Sequence, residues 1–382
     1  MAVALRLVEA PQFVEHVEYN SDAVTRGAHS LQGAFSHNVA WQPSVARFVI
    51  DRFSERDSVV LDAWSGSGHT AFESLTMGRN FIGFTRHAVL AQLAKARIAP
   101  ADIAEVALRI QLANLKRPID VRGFTTPFNL FFDVDTFCEL VNLRNLLKGR
   151  VERVDRFVQL VVATIIHGHT VGHLSAYTSP NVALSQDAQA QLNRKRGEVP
   201  SYRAVVPRIL KKAASLVQDG IPGVLERGTV GATFTQGDAR NLSGVSTGSV
   251  SLALLAPEQP GFLEHGVNSW LRAWWIGMDQ ESSAQVSFDS VEAWSDYTSE
   301  VLLESARAVA KHGRAVVRVG QGRVQGRPVQ FREQLHQVLE NGLRSYWHVE
   351  GTVVEQLVSS AKESGKEKRS AAPGELVVLR RK

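Results

Sequence analysis

The stretch DSVVLDAWSGSGHTAFESLTMGR at 57–79, followed by NFIGFT at 80–85, constrains the fold more than any other. An apolar run ends at an aspartate, a glycine-rich turn follows, helical spacing resumes, and a second apolar run begins. With HAVLAQLAKARI at 87–98 reading as helix, this is a βαβα unit, which requires a parallel sheet with helices on its faces. The preceding SVARFVIDRF, 44–53, carries apolar residues at helical intervals. In the turn, Ser65, Gly66 and Gly68 let backbone come close to a ligand, and Asp62 ends the strand where open α/β sheets take ligands. A tight connection without a ligand gives the same local pattern.

Residues 100–230 read as mainly helical, from FCELVNLRNLLKGR, RFVQLVVATIIHGH and PRILKKAASLVQ. This marks an insertion or second lobe, between two α/β-patterned parts at 1–99 and 231–382. Strand signals return at GATFTQGD, SVSLALLAP and GRAVVRVG, with AWSDYTSEVLLESARAVAKHG reading as helix up to the last. SYWHVEGTVVEQLV and ELVVLRR read as two closing strands, joined by the loop SSAKESGKEKRSAAPG. The 382 residues, 44% apolar, can bury a substantial core, and 43 Lys and Arg against 38 Asp and Glu leave +5, which favours polyanions without requiring one. The single cysteine, Cys138, excludes an internal disulfide and a cysteine zinc cluster, and reads as a small buried hydrophobe. No apolar run reaches the roughly 18 residues of a membrane helix, and acidic and polar residues interrupt MAVALRLVEAPQFVEHVEYN too soon for a secretory signal, so a cytoplasmic, soluble protein is expected.

VVLDAWSGSGHTAFESLTMGRNFIGF resembles the cofactor-binding motif of the DNA amino methyltransferases, which modify N4 of cytosine or N6 of adenine. AHSLQGAFSHNVAWQPSVARFVI, with Pro43 ahead of its helix, resembles that family's first cofactor-contacting segment, and the stretch from IIHGHTVGHLSAYTSPN to RILKKA resembles an insert carried by some members. The resemblance implies an α/β, Rossmann-like methyltransferase fold: a mostly parallel seven-stranded sheet with a C-terminal antiparallel hairpin, plus a helical insertion. It also implies double-stranded DNA as partner, base flipping, and S-adenosylmethionine (SAM) as the cofactor if methyl transfer is retained.

Two departures qualify it. The second strand ends GFTR, so Thr85 stands where the family has an acid for the ribose hydroxyls. After the fourth strand the family has Asp-Pro-Pro-Tyr or a near variant to clamp the target amine and stack its base. Here LLAPEQPG gives Ala256 without a polar atom, Pro257 retained, Glu258 for the second proline and Gln259 for the tyrosine. An amine attacks a sulfonium only when its lone pair is freed and its geometry fixed. Glu258 introduces a carboxylate suited to positioning water against an oxocarbenium-like state, with Asp62 and Asp238 as further candidates. A solvated loop glutamate and turn-stabilising aspartates are the alternatives. The leading expectation is therefore a DNA glycosylase needing no cofactor, releasing a modified base. The sequence also resembles a type of bacterial antiphage glycosylase acting on bulky phage-modified cytosine, such as glucosylated hydroxymethyl-cytosine. SAM-dependent DNA methylation and a catalytically dead DNA-binding relative remain as alternatives.

The base pocket is expected to draw on Trp64, His69, Tyr177, Pro257, Gln259 and Phe262. RKRGEVPSYRAVVPRILKK places Arg194, Lys195, Arg196, Arg203, Arg208, Lys211 and Lys212, with Tyr202, against the single acid Glu198, which suits phosphate contacts; a solvated helix face is the alternative. His167, His169 and His173 do not share one helical face, so no metal site is expected, and they read as pocket-lining or capping residues. Trp270, Trp274 and Trp275 read first as core.

Overall fold

The computed structural model describes residues 12–19, 28–35, 41–125, 127–179, 183–226, 231–257, 270–278, 288, 290–357 and 374–382. Strands β1 (Phe13–Tyr19), β2 (Val59–Asp62), β3 (Asn80–Thr85), β4 (Ala232–Gln236), β5 (Val250–Leu255), β6 (Val309–Val319), β9 (Trp347–Leu357) and β10 (Glu375–Arg381) form one sheet. β7 (Gln321–Val324) and β8 (Arg327–Gln330) form a separate antiparallel hairpin. The sheet order is β1-β9-β10-β6-β5-β2-β3-β4. Every pairing is parallel except those of β10, which is antiparallel to both β6 and β9. This is the expected Rossmann-like α/β architecture with its C-terminal antiparallel hairpin, corrected from seven strands to eight among the described residues. The extra strand, β1, lies parallel to β9 at the sheet edge, Phe13 opposite Gly351 and Tyr19 opposite Leu357.

α1 (Pro43–Phe53) begins with proline in its first turn, where a missing N–H costs nothing, and buries Val45, Val49, Ile50 and Phe53 along one stripe. It packs against α2 (His69–Thr76) on the face that also carries α3 (Ala88–Arg97). The insertion holds α4 (Ile103–Gln111), α5 (Phe128–Phe131), α6 (Val134–Leu147), α7 (Arg153–Ile165), α8 (Gln186–Arg196), α9 (Val205–Leu216) and α10 (Gly223–Glu226). It packs on this same face, α7 against α3 and α9 against α7. α11 (Trp270–Ile276) joins it, its tryptophans packed as core: Trp270 meets Phe128 and Phe131, Trp274 stacks on Phe137, and Trp275 donates to the Gln159 carbonyl. The opposite face carries α12 (Val291–Ala308) and α13 (Phe331–Val338). Alternation along β5 feeds both cores, Leu252 and Leu254 on the insertion side, Ala253 and Leu255 on the other.

One boundary differs from the sequence reading. The helical pattern runs on to Gly313, yet α12 stops at Ala308 and Val309 already pairs with Val250. The register slips before Leu252 meets Arg314; His312 takes a positive φ of 66°, and a Cβ at Gly313 would lie 2.8 Å from Val309 and 3.0 Å from the Ser251 carbonyl oxygen. A bulge thus absorbs residues that pattern alone gives to the helix. Cys138 is half-buried rather than buried, and burial, then Asp135 and Asp133, pushes its thiol pKa up. Among the described residues no helix is long and apolar enough to cross a membrane.

Candidate functional site

From β2 the chain steps outward through β3 and β4, then returns to β2's other side as β5. Parallel sheets take ligands at such a reversal, here the carboxyl ends of β2 and β5. The turn leaving β2 is set by Asp62, which is buried. One carboxylate oxygen accepts from the Trp64 N–H at 2.9 Å and the other from the Thr70 hydroxyl at 2.6 Å. Burial lifts its pKa from 3.8 to about 7 against both hydrogen bonds. Asp62 thereby ties the start of the turn to the first turn of α2. Gly66 and Gly68 have φ of 49° and 83°, and the Ser65 N–H and hydroxyl both donate to the Phe84 carbonyl of β3. The two glycines serve different ends: a Cβ at Gly68 would sit 2.9 Å from Ala94 Cβ of α3, whereas one at Gly66 would meet only the Trp64 carbonyl oxygen, at 3.9 Å.

At the end of β3, Thr85 is buried and its hydroxyl accepts from the His87 N–H at 3.3 Å. The next residue, Arg86, pairs with Asp238 just beyond β4. Asp238 also accepts from the Arg240 N–H at 2.9 Å and its guanidinium at 3.0 and 3.1 Å. Burial favours the neutral acid, but the Arg240 hydrogen bonds and the charges of Arg86 and Arg240 outweigh it and hold its pKa down. Both guanidinia lie over the Tyr297 ring, 5.3 and 5.2 Å from its centre, and Trp64 meets that ring edge-on at 6.2 Å. Trp64 and Asp238 are thus brought together around Tyr297, although each was assigned separately from sequence. Asp238 is committed to two arginines, while Asp62 is committed to the turn.

His69, expected in a base pocket, lies instead beneath the turn. Its Nδ1 is 2.8 Å from the Gln32 side-chain oxygen and its Nε2 is 3.3 Å from Arg97. Burial, then the Arg97 charge, holds its pKa well down, so it is neutral. Arg97, fully buried, donates to the Ser67 carbonyl at 2.7 Å, the Leu31 carbonyl at 2.9 Å and the Ala34 carbonyl, lashing 31–34 to the glycine turn. Burial pulls its pKa down to about 9. Arg272 of α11 donates to the Ala163 carbonyl, lies 4.6 Å from the centre of the Phe35 ring, and is pulled down to about 9 by the same cause. Sequence reasoning missed both arginines; the signal for Arg97 was a charge closing the small-residue helix AVLAQLAKAR. After β5, Ala256 is half-buried and Pro257 buried. Glu258, Gln259 and Phe262 lie outside the described residues.

On the insertion, Arg194, Lys195, Arg196 and Lys211 are exposed. Arg203 and Arg208 are half-buried, because they donate to the His173 and Val171 carbonyls and carry the 170–173 loop, so their share in an outer face is smaller than the sequence suggested. The Tyr202 hydroxyl donates to Glu139. Tyr177 lies under Arg196, 3.8 Å from its guanidinium, with His169 edge-on. His167 is buried against the Ser179 carbonyl, and His169 and His173 lie ring beside ring on the loop. Among the described residues no three His, Cys, Asp or Glu side chains converge to hold a metal.

Residues 13–96 match the DNA methylase family model. That segment runs from β1 into the last turn of α3 and contains the whole glycine turn. No curated protein matches the sequence. Among solved structures, a putative rRNA methylase from Clostridium thermocellum is similar at 10% identity over 88% of this chain and 95% of its own, with a TM-score of 0.34. An rRNA methyltransferase from Streptomyces viridochromogenes is similar at 11% identity over 95% and 96%, also with a TM-score of 0.34. A putative DNA modification methylase from Thermus thermophilus shares 20% identity over 38% of this chain and 52% of its own, with a TM-score of 0.24.

Proposed function

We propose that this chain is an enzyme acting on bases of double-stranded DNA and that its glycine turn holds SAM for methyl transfer to an exocyclic amine. One observation carries the reading: the DNA methylase match falls on a turn whose Gly66 faces open space. This reverses the order expected from sequence, where hydrolysis led. The residues present fit the cofactor. The Gly66 backbone and the Thr85 hydroxyl would hold it, and when bound it supplies an electrophilic methyl group on sulfur. Asp62 fixes the turn through Trp64 and Thr70. The Pro257 carbonyl, two residues past the end of β5, would accept from an amine brought there, with no help from Ala256.

A second reading, hydrolysis of the N-glycosidic bond of a modified base with Glu258 positioning water, is favoured by one specific feature. At the β5 end Ala256 offers only a methyl group where an amine needs an acceptor. Mass spectrometry of ordinary and phage-modified DNA, incubated with the protein with and without SAM, separates the two. A SAM-dependent methyl gain, abolished in Gly66→Ala, is expected. Free base and abasic DNA formed without SAM would replace methylation with excision.

A further inference from the structure

Resting on the DNA reading above, we infer that the Arg196 guanidinium, held over the Tyr177 ring, is a stacking plane for an unpaired base of that DNA. α8 ends at Arg196, and Gly197, with φ of 58°, turns the chain so that Glu198 comes back beneath it. One Glu198 oxygen accepts from Arg196 Nε at 2.9 Å and the other from the Tyr177 N–H at 2.9 Å. The single acid of the basic run therefore pins the guanidinium and the tyrosine to each other. Tyr177 is fixed from behind as well: its carbonyl accepts from Gln189 at 3.0 Å, and the Thr178 N–H donates to Gly168 at 3.1 Å.

The guanidinium carbon stands 3.8 Å over the centre of the ring, while the side chain remains 43% exposed. A guanidinium is planar and weakly hydrated, so its outer face accepts a π-system that an ammonium would not. Arg194 and Lys195, exposed in the same last turn of α8, and Arg203, whose charge reaches Glu198, give the surroundings a positive charge suited to a phosphate backbone rather than an apolar partner. Within a duplex both faces of a base are covered by its neighbours, so the available π-face belongs to an unpaired base. Glu198 is a positioning residue here, acting through Arg196.

The test compares binding to a perfect duplex and to the same duplex carrying one unpaired 2-aminopurine, by anisotropy and 2-aminopurine fluorescence across a salt series. The wild-type protein should bind the unpaired-base duplex about ten-fold more tightly, with 2-aminopurine quenching. Arg196→Lys keeps the charge and loses the plane, so it should lose that preference and the quenching while keeping duplex affinity and salt dependence. Lys195→Gln should weaken both duplexes equally. Preference and quenching surviving in Arg196→Lys would overturn the inference and leave DNA binding standing. No binding to either duplex by the wild-type protein would overturn both readings.

Discussion

The Asp62 carboxyl ionises near 3.8 in an unfolded chain and near 7 in the folded one, because burial outweighs the hydrogen bonds from Trp64 and Thr70. Between those values the folded state holds more protons than the unfolded, so its contribution to stability falls as pH rises through this window and is constant above it. Asp62→Asn removes that titration. The melting temperature of the wild-type protein minus that of the variant should therefore decline from about pH 4 to about pH 7 and then level. A difference independent of pH would show that the carboxyl is not buried as described. The position of this residue was legible in VVLDAW, because a strand ending at an acid before a glycine turn is a local pattern. What engages Asp238 was not: Arg86 lies 152 residues earlier and the Tyr297 ring that collects both arginines comes from α12, so only the folded sheet joins them.

At the scale of elements, α3 holds the glycine turn from below, Ala94 by close packing on Gly68 and Arg97 by hydrogen bonds. Arg97→Met would leave the Ser67, Leu31 and Ala34 carbonyls short of a buried donor, costing about 3 kcal/mol or more. Arg97→Lys should recover little, since one ammonium cannot span acceptors arranged around a planar fork. Urea unfolding should show both losses, and amide exchange at 31–34 should accelerate ahead of the sheet. Sequence placed β3 at Asn80–Thr85 and β10 at 375–381 to the residue, since each is a short apolar run with clear ends. It missed β1 because Val14 points out and Glu15 lies half-buried beside Arg52, which scrambles the alternation, and because its partner β9 lies more than 330 residues away. It missed β7 and β8 because their turn is Gln325–Gly326, both with positive φ, a conformation usually announced by Asn-Gly.

For the whole molecule, the boundaries near 100 and 230 are changes of pattern rather than of packing. Val49, Phe72 and Leu93 of the sheet-covering helices share one continuous core with Leu140, Phe157, Leu160 and Ile209 of the insertion. Helical periodicity in the insertion was legible, but which surface those apolar stripes would meet depends on how α7 crosses α3. The insertion's helices meet one another, α7 and α4 each against α9, and α7 also lies against α3 of the sheet-covering layer. The chain should therefore unfold in one transition, with far-UV circular dichroism and tryptophan fluorescence superimposing in urea. Leu160→Ala, deep in the insertion, should cost about 3 kcal/mol and reduce amide protection in β5 as much as in α7. If β5 keeps its protection while α7 loses it, the insertion is a separable domain. The packing of α7 on α3 would then carry nothing from the insertion to the glycine turn. If both fall together, a contact on the insertion face bears on the same cooperative unit that shapes the glycine turn.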